Sequence, residues 1–216
     1  PVVLLTDGYL ANGSEPWKIP KVKDLKPIDV KFEKPSKTEN EYLPYKRDKD
    51  TLSRPWAIPG TAGLQHRVGG LEKAEDSGHV SYDPDNHHRM VEIRQEKVNR
   101  IQNDIDPTEV YGSNNGDLLI ISWGGTYGSC RSAIETLHDE GKSVSHVHLR
   151  WINPLPKDLG EIIIKFKNVL VPEINMGQLI KLIRSEYLVD AKGLNQVTGK
   201  PISASKIIET VNKIIG

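Results

Sequence analysis

Asp117-Leu118-Leu119-Ile120-Ile121-Ser122-Trp123 runs directly into Gly124-Gly125-Thr126-Tyr127-Gly128. Four consecutive apolar residues cannot alternate between core and water, so this strand is covered on both faces. Such strands belong to parallel sheets flanked by helices. A second strand ends in His148-Leu149-Arg150-Trp151-Ile152-Asn153-Pro154-Leu155-Pro156, and a third reads Val169-Leu170-Val171-Pro172-Glu173-Ile174-Asn175-Met176-Gly177-Gln178. Strands alternating with helices, with polar chemistry at the strand ends, put the ligand-facing or partner-facing loops at one edge of the sheet.

Residues 117–216 read strand–helix four times. The first helix turns Tyr127, Cys130, Ala133, Ile134 and Leu137 inward. Strand two spans about 144–149 and a helix about 156–167. Strand three spans 168–172, with a helix over about 176–188, and a weak strand lies near 193–197. The last helix starts at Ser203 and carries the stripe Ile207, Ile208, Val211, Ile214, Ile215. The expected fold is α/β: a three-layer α/β/α, mostly parallel sheet over 116–216.

The first half differs. Pro1-Val2-Val3-Leu4-Leu5-Thr6-Asp7 reads as a buried strand with nothing before it to pair with, so residues 1–10 read as the last strand of an upstream domain. The expectation is a C-terminal piece of a longer polypeptide. Residues 11–60 are rich in proline and lysine and read as an extended arm anchored by Trp17, Tyr42, Tyr45 and Trp56, or as a linker. A glycine-rich segment follows. Asp83-Pro84 then starts a helix running to about Asn103, with Met90, Val91, Arg94, Val98 and Ile101 on one face and Glu96 paired with Arg100. The arm, this segment and the connecting helix make up 11–115.

Lysine plus arginine and aspartate plus glutamate both number 29, a balance that argues against a dedicated nucleic-acid binder. No apolar run approaches the ~18–20 residues that span a bilayer. The one cysteine, Cys130, excludes an internal disulfide and an iron–sulfur cluster ligated by this chain alone. The cytoplasm is the default location.

Several residues are candidates for a site. Gly124, Gly125, Thr126 and Gly128 lie between a strand and a helix N-terminus, where free N–H groups suit a phosphate or carboxylate of a cofactor. The alternative is a tight turn with close helix–sheet contact. Arg150 ends a strand at the same edge and can clamp an anion bidentately, or pair with Glu173. Glu173 and Asn175 are expected to face a partner, although Asn175 with Gln178 also reads as a capping box. His66, His79, His87 and His88 have no zinc spacing, and no metal site is expected. Cys130 reads as a small core residue. No complete catalytic set is visible.

The segment Pro59-Gly60…Gly70-Leu71-Glu72…Gly78-His79…His87…Met90-Val91-Glu92…Arg94…Lys97 resembles the interdomain segment of alpha subunits of 2-oxoacid:ferredoxin oxidoreductases. Gly124 to Gly128, Ala133-Ile134, His148-Leu149-Arg150, Pro154-Leu155-Pro156 and Pro172 to Leu179 resemble their C-terminal domain, of the transketolase C-terminal type. The resemblance implies a parent enzyme, most similar to the 2-oxoglutarate type. It decarboxylates a 2-oxoacid on thiamine diphosphate, makes an acyl-CoA and reduces ferredoxin through iron–sulfur clusters. It also implies that the thiamine-activating glutamate lies upstream, and that the magnesium site and cluster cysteines belong to a beta subunit. This piece is then non-catalytic, serving assembly and walling the site. Two rivals remain: a stand-alone nucleotide- or CoA-binding module, and a pure protein-interaction module.

Overall fold

The computed structural model describes residues 3–6, 12–14, 16, 18–28, 30–35 and 42–216. Its centre is a five-stranded sheet: β1 (Val110–Tyr111), β2 (Gly116–Trp123), β3 (Val144–Leu149), β4 (Phe166–Glu173) and β5 (Lys192–Asn195). The order is β1-β3-β2-β4-β5. β1 is antiparallel to β3, and the other pairings are parallel. The sheet is therefore α/β and mostly parallel, as expected. β1 lies ahead of residue 116, so the sheet begins inside the segment read as a connector.

The apolar run of β2 is divided between two cores. Leu118 and Ile120 pack with Val144 and Leu170 under α2 (Tyr127–Asp139) and α5 (Ala204–Ile215), through Cys130, Ala133, Ile134, Leu137, Ile207 and Val211. Leu119 and Ile121 face the other side with Val147, Val169 and Val171. There they meet α3 (Leu159–Ile163) and α4 (Leu179–Tyr187) through Leu159, Ile163, Leu179 and Ile183. Period-two alternation thus sends neighbouring side chains into opposite layers. Each fully buried leucine or isoleucine stabilises the fold by roughly 1.5–3 kcal/mol.

The element boundaries differ from the sequence reading where loop chemistry intervenes. The helix expected over 156–167 contracts to α3, because Phe166 is drawn into β4 opposite Gly116 and its side chain is buried. The helix expected from 176 begins at Leu179. Asn175 Oδ1 instead accepts the N–H groups of Gly177 and Gln178, folding the loop back before the helix starts. α5 begins as read, with Ser203 Oγ accepting the Lys206 N–H.

α1 (Pro84–Asn99) is capped by Asp83, whose carboxylate accepts from Asp85 and Asn86, and it continues as a 3-10 turn over Arg100–Asp104. Arg100 Nε reaches Glu96 at 2.8 Å. Its buried residues are Met90 and Ile93, while Val91 and Ile101 are exposed. Of the expected stripe Met90 is buried and Val98 half-buried, while Ile93 takes the place of Val91 and Arg94, because the apolar positions here are too sparse to fix the face. Segment 42–80 is tied to this helix. Arg100 Nη1 donates to the carbonyls of Lys49 and Asp50, and Arg54 stacks 4.0 Å above the Tyr45 ring. Phe32 bridges to Trp56, yet Trp56 remains 66% exposed. Tyr42 and Tyr45 are half-buried; Trp17 lies outside the described residues. Within the segment read as an upstream strand, residues 3–6 are described, form no ladder, and leave Val3, Leu4 and Leu5 exposed.

Candidate functional site

At the carboxyl edge, β2 is followed in sequence by β3 on one side and later by β4 on the other. The crevice between β2 and β4 is therefore the topological switch point, where open α/β sheets take ligands. Here it is filled from within. Trp123 Nε1, at the end of β2, donates to Glu173 Oε1 at the end of β4 at 3.3 Å. The same carboxylate accepts the N–H of Leu179 at 2.8 Å, the N–H of Ile180 at 3.1 Å, and Asn175 Nδ2 at 3.1 Å. Glu173 is 0% exposed.

Glu173 and Asn175, expected to face a partner, thus turn inward. The first N–H groups of α4 need acceptors, and a carboxylate satisfies two of them while complementing the helix dipole. Asn175 braces the loop, its carbonyl accepting from Asn195 Nδ2 at 3.1 Å. The apolar residues this loop offers to solvent are Ile174 and Met176, the latter 80% exposed.

The glycine turn forms a 3-10 segment, Gly124–Thr126, that opens α2. Gly124 has φ +54, a conformation that suits glycine. Thr126 is buried and clasps the turn: Oγ1 donates to Trp123 O at 2.7 Å and accepts the Trp123 N–H at 3.3 Å. A Cβ at Gly124, Gly125 or Gly128 would meet nothing within 4 Å. Close helix–sheet contact is therefore not what these glycines serve. Tyr127, expected inside, is 48% exposed at this edge.

Beside the turn lies a polar cluster that the strand reading passed over. Ser122 and His148 are cross-strand neighbours, and His146 precedes His148 by two, on the same face. Ser122 Oγ sits 2.6 Å from His146 Nε2 and 2.7 Å from His148 Nδ1. The Tyr127 ring packs edge-on against His148, with centroids 5.0 Å apart. His146 is 2% exposed. Burial pushes its pKa down to about 4, with the nearby His148 and Arg131 charges adding to the effect. Burial, then the Arg150 charge, also lowers the pKa of His148. Ser122 and Thr126 beside Cys130 act to lower its pKa, but burial dominates and pushes its thiol up to about 12. A signal was present in the sequence: polar residues at i and i+2 inside fully buried strands require internal partners.

Arg150 is exposed and has no hydrogen bond or ion pair to any described residue, so it does not bind Glu173. The histidines of the first half stay apart. His87 Nδ1 meets Glu72 at 2.6 Å, with Arg94 on the other carboxylate oxygen, and His66 Nδ1 bonds Leu64 O at 2.9 Å.

This sheet and edge define an α/β domain of one class: residues 116–207 match the family described as pyruvate:ferredoxin oxidoreductase core domain II. Over 208 residues the chain is 45% identical to the 2-oxoglutarate oxidoreductase subunit KorA of Mycobacterium tuberculosis, covering 96% of this chain and 31% of that subunit. A 2-oxoacid:ferredoxin oxidoreductase alpha subunit of Aeropyrum pernix is 28% identical over 228 residues, covering 100% of this chain and 34% of that subunit. Among solved structures, the 2-oxoglutarate:ferredoxin oxidoreductase of Magnetococcus marinus, with 2-oxoglutarate, coenzyme A and succinyl-CoA bound, superposes with TM-score 0.80 at 31% identity. That superposition covers 91% of this chain and 34% of the other. The chain is similar to alpha subunits of 2-oxoacid:ferredoxin oxidoreductases, and it spans about a third of the length of the relatives it matches.

Proposed function

We propose that this chain is the scaffolding portion of the alpha subunit of a cytoplasmic 2-oxoglutarate:ferredoxin oxidoreductase. The parent enzyme decarboxylates the 2-oxoacid with thiamine diphosphate and magnesium, forms the acyl-CoA and passes electrons through iron–sulfur clusters to ferredoxin. The observation that carries this reading is the 45% identity to the Mycobacterium tuberculosis subunit across 96% of the chain. The donor set agrees with a division of labour: Cys130 is the one cysteine and is buried, so cluster ligands come from elsewhere. Among the described residues, no three histidine, cysteine or acidic side chains gather as a metal site. No described helix is long and apolar enough to cross a membrane.

The carboxyl edge is the part of this chain that walls the reaction site. Gly124, Gly125, Thr126, Gly128 and Arg150 form its cofactor-facing side. The loop carrying Ile174, Asn175 and Met176 meets the beta subunit through its two exposed apolar side chains. The test is reconstitution. This chain is combined with the remainder of its subunit and with the beta subunit, and viologen reduction is followed with 2-oxoglutarate, with pyruvate, and without CoA. Reduction that needs both 2-oxoglutarate and CoA supports the reading. Reduction by this chain alone, or none in the complete mixture, overturns it.

A further inference from the structure

His146, His148 and Arg150 follow one another at a spacing of two, along one face of β3 and just beyond its end. The first is buried, the second half-buried and the third exposed. They form a graded line from the core to the carboxyl edge. Arg150 brings a full positive charge with no counter-charge among the described residues. His148 brings an imidazole whose Nδ1 is committed to Ser122 and whose Nε2 has no hydrogen-bond partner among them.

The Ser122 hydroxyl has one proton and stands between two imidazole nitrogens. It can donate to only one of them at a time. When His148 is protonated, its Nδ1–H must donate to Ser122 Oγ, which frees the serine proton for His146 Nε2 or for Cys130. The arrangement therefore fixes the His148 ring plane and leaves Nε2 as the atom that gains or gives a proton. The Tyr127 ring limits rotation from the α2 side, and the thiol of Cys130 stays neutral. Arg131, also on α2, is engaged with Glu135 at 3.1 Å and stacks on Tyr111. The groups facing the histidine pair are thus Tyr127, Cys130 and Arg131 from α2, Ser122 from β2 and Arg150 from β3. Among the described residues none of these is a carboxylate, which leaves an anion from outside free to sit against the pair.

We propose that His148 and Arg150 form a carboxylate-reading pair at the carboxyl edge, with Ser122 and His146 as positioning residues that aim His148 Nε2 at the ligand. One fixed charge, and a second that arrives with a proton, match a carboxylate head. A carboxylate bound here replaces the repulsion His148 feels from Arg150 with attraction, so binding and proton uptake are coupled. The carboxylate belongs either to a free 2-oxoacid or dicarboxylate, or to an acidic side chain elsewhere in the assembled enzyme. The inference rests on the reading of this edge as facing the reaction site.

The test is long-range proton–nitrogen correlation spectroscopy of the imidazoles at constant ionic strength, with succinate, inorganic phosphate or chloride as the probe. Succinate is expected to raise the His148 titration midpoint by about one unit, while chloride leaves it unmoved. Arg150→Gln is expected to weaken succinate binding about tenfold or more. Ser122→Ala is expected to mix the two neutral tautomers of His148, and Ser122→Thr, which keeps the hydroxyl, to preserve one of them; a merely structural serine would give the same tautomer signal in wild type and both variants. The same spectra on the full-length alpha subunit with its beta subunit separate the two sources. If His148 there is protonated without added succinate, the carboxylate is a side chain of the enzyme. A phosphate response exceeding that to succinate, or an unmoved His148 in both preparations, overturns the proposal. A succinate response alongside failed reconstitution removes the oxidoreductase reading alone; the converse removes this inference alone.

Discussion

The indole of Trp123 and the carboxylate of Glu173 meet at 3.3 Å across the ends of β2 and β4, and together they close the switch point of the sheet from within. Glu173 accepts four hydrogen bonds, from the side chains of Trp123 and Asn175 and from the backbone of Leu179 and Ile180. The acid expected to face a partner thus joins two strands to a helix.

Glu173→Gln should therefore destabilise the fold. The amide keeps one acceptor oxygen and turns an NH2 toward groups that themselves donate, leaving a buried N–H unpaired. The expected loss is about 1–3 kcal/mol, read as a lower urea midpoint with an unchanged slope. Were Glu173 a surface acid reserved for a partner, the midpoint would not move.

Much of the fold was legible because buried parallel strands have a distinctive pattern. β3 falls at Val144–Leu149, where the strand–helix alternation put it, and α5 starts at its serine cap. The lost boundaries have local causes. Asn175 and Gln178 match a capping box in type and spacing, but a carboxylate two residues before Asn175 competed for the same helix and won. The polar cluster was harder. Ser122 and His146 sit in buried strands, and only the cross-strand register reveals that they are neighbours. The arm is the least legible part, since its anchors, such as Arg54 on Tyr45, depend on tertiary contacts between sparse aromatics.

Acid should weaken the fold well above the usual carboxylate range. His146 has an ordinary value of 6.5 and is held near 4 by burial, with the neighbouring positive charges adding to the effect. Below pH ~6.5 the unfolded chain takes up a proton that the folded chain refuses until the pH approaches ~4. Stability is thus complete above the upper value and falls through this window. His148 shifts in the same direction. Glu72, held down chiefly by its hydrogen bond from His87, acts only below its ordinary value of 4.5, so the two effects separate. Urea midpoints measured from pH 7 to 4 should decline. His146→Gln should flatten that decline even if it lowers the plateau; an equally steep decline in the variant would exclude His146 as its source.

Cys130 should be silent toward thiol reagents in the native state. Its thiol is buried beneath α2, and its pKa of about 12 leaves almost no thiolate at neutral pH. Alkylation by iodoacetamide should track global unfolding and accelerate steeply as urea approaches the midpoint. Rapid native-state labelling would mean that α2 opens locally, carrying the glycine turn with it.

The glycine turn yields the prediction that best separates fold from assembly. Gly125 and Gly128 lack the positive φ that would demand glycine, and an added Cβ at either finds open space. Gly125→Ala should be close to neutral in this chain. Gly128→Ala, within the first turn of α2, should be neutral or stabilising by up to about 1 kcal/mol, because alanine loses less backbone entropy than glycine on folding. The outcome in the reconstituted enzyme is expected to differ. A cofactor phosphate or a partner backbone lying against the bare Cα atoms would clash with a methyl group, and viologen reduction would fall although the chain itself melts no lower. Equal activity in wild-type and alanine-substituted enzyme would mean that nothing approaches the turn in the assembly, and the cofactor-facing side would have to lie elsewhere along the edge. Parallel melting of the isolated variants is what lets the assay be read as contact, because a folding defect would lower both together.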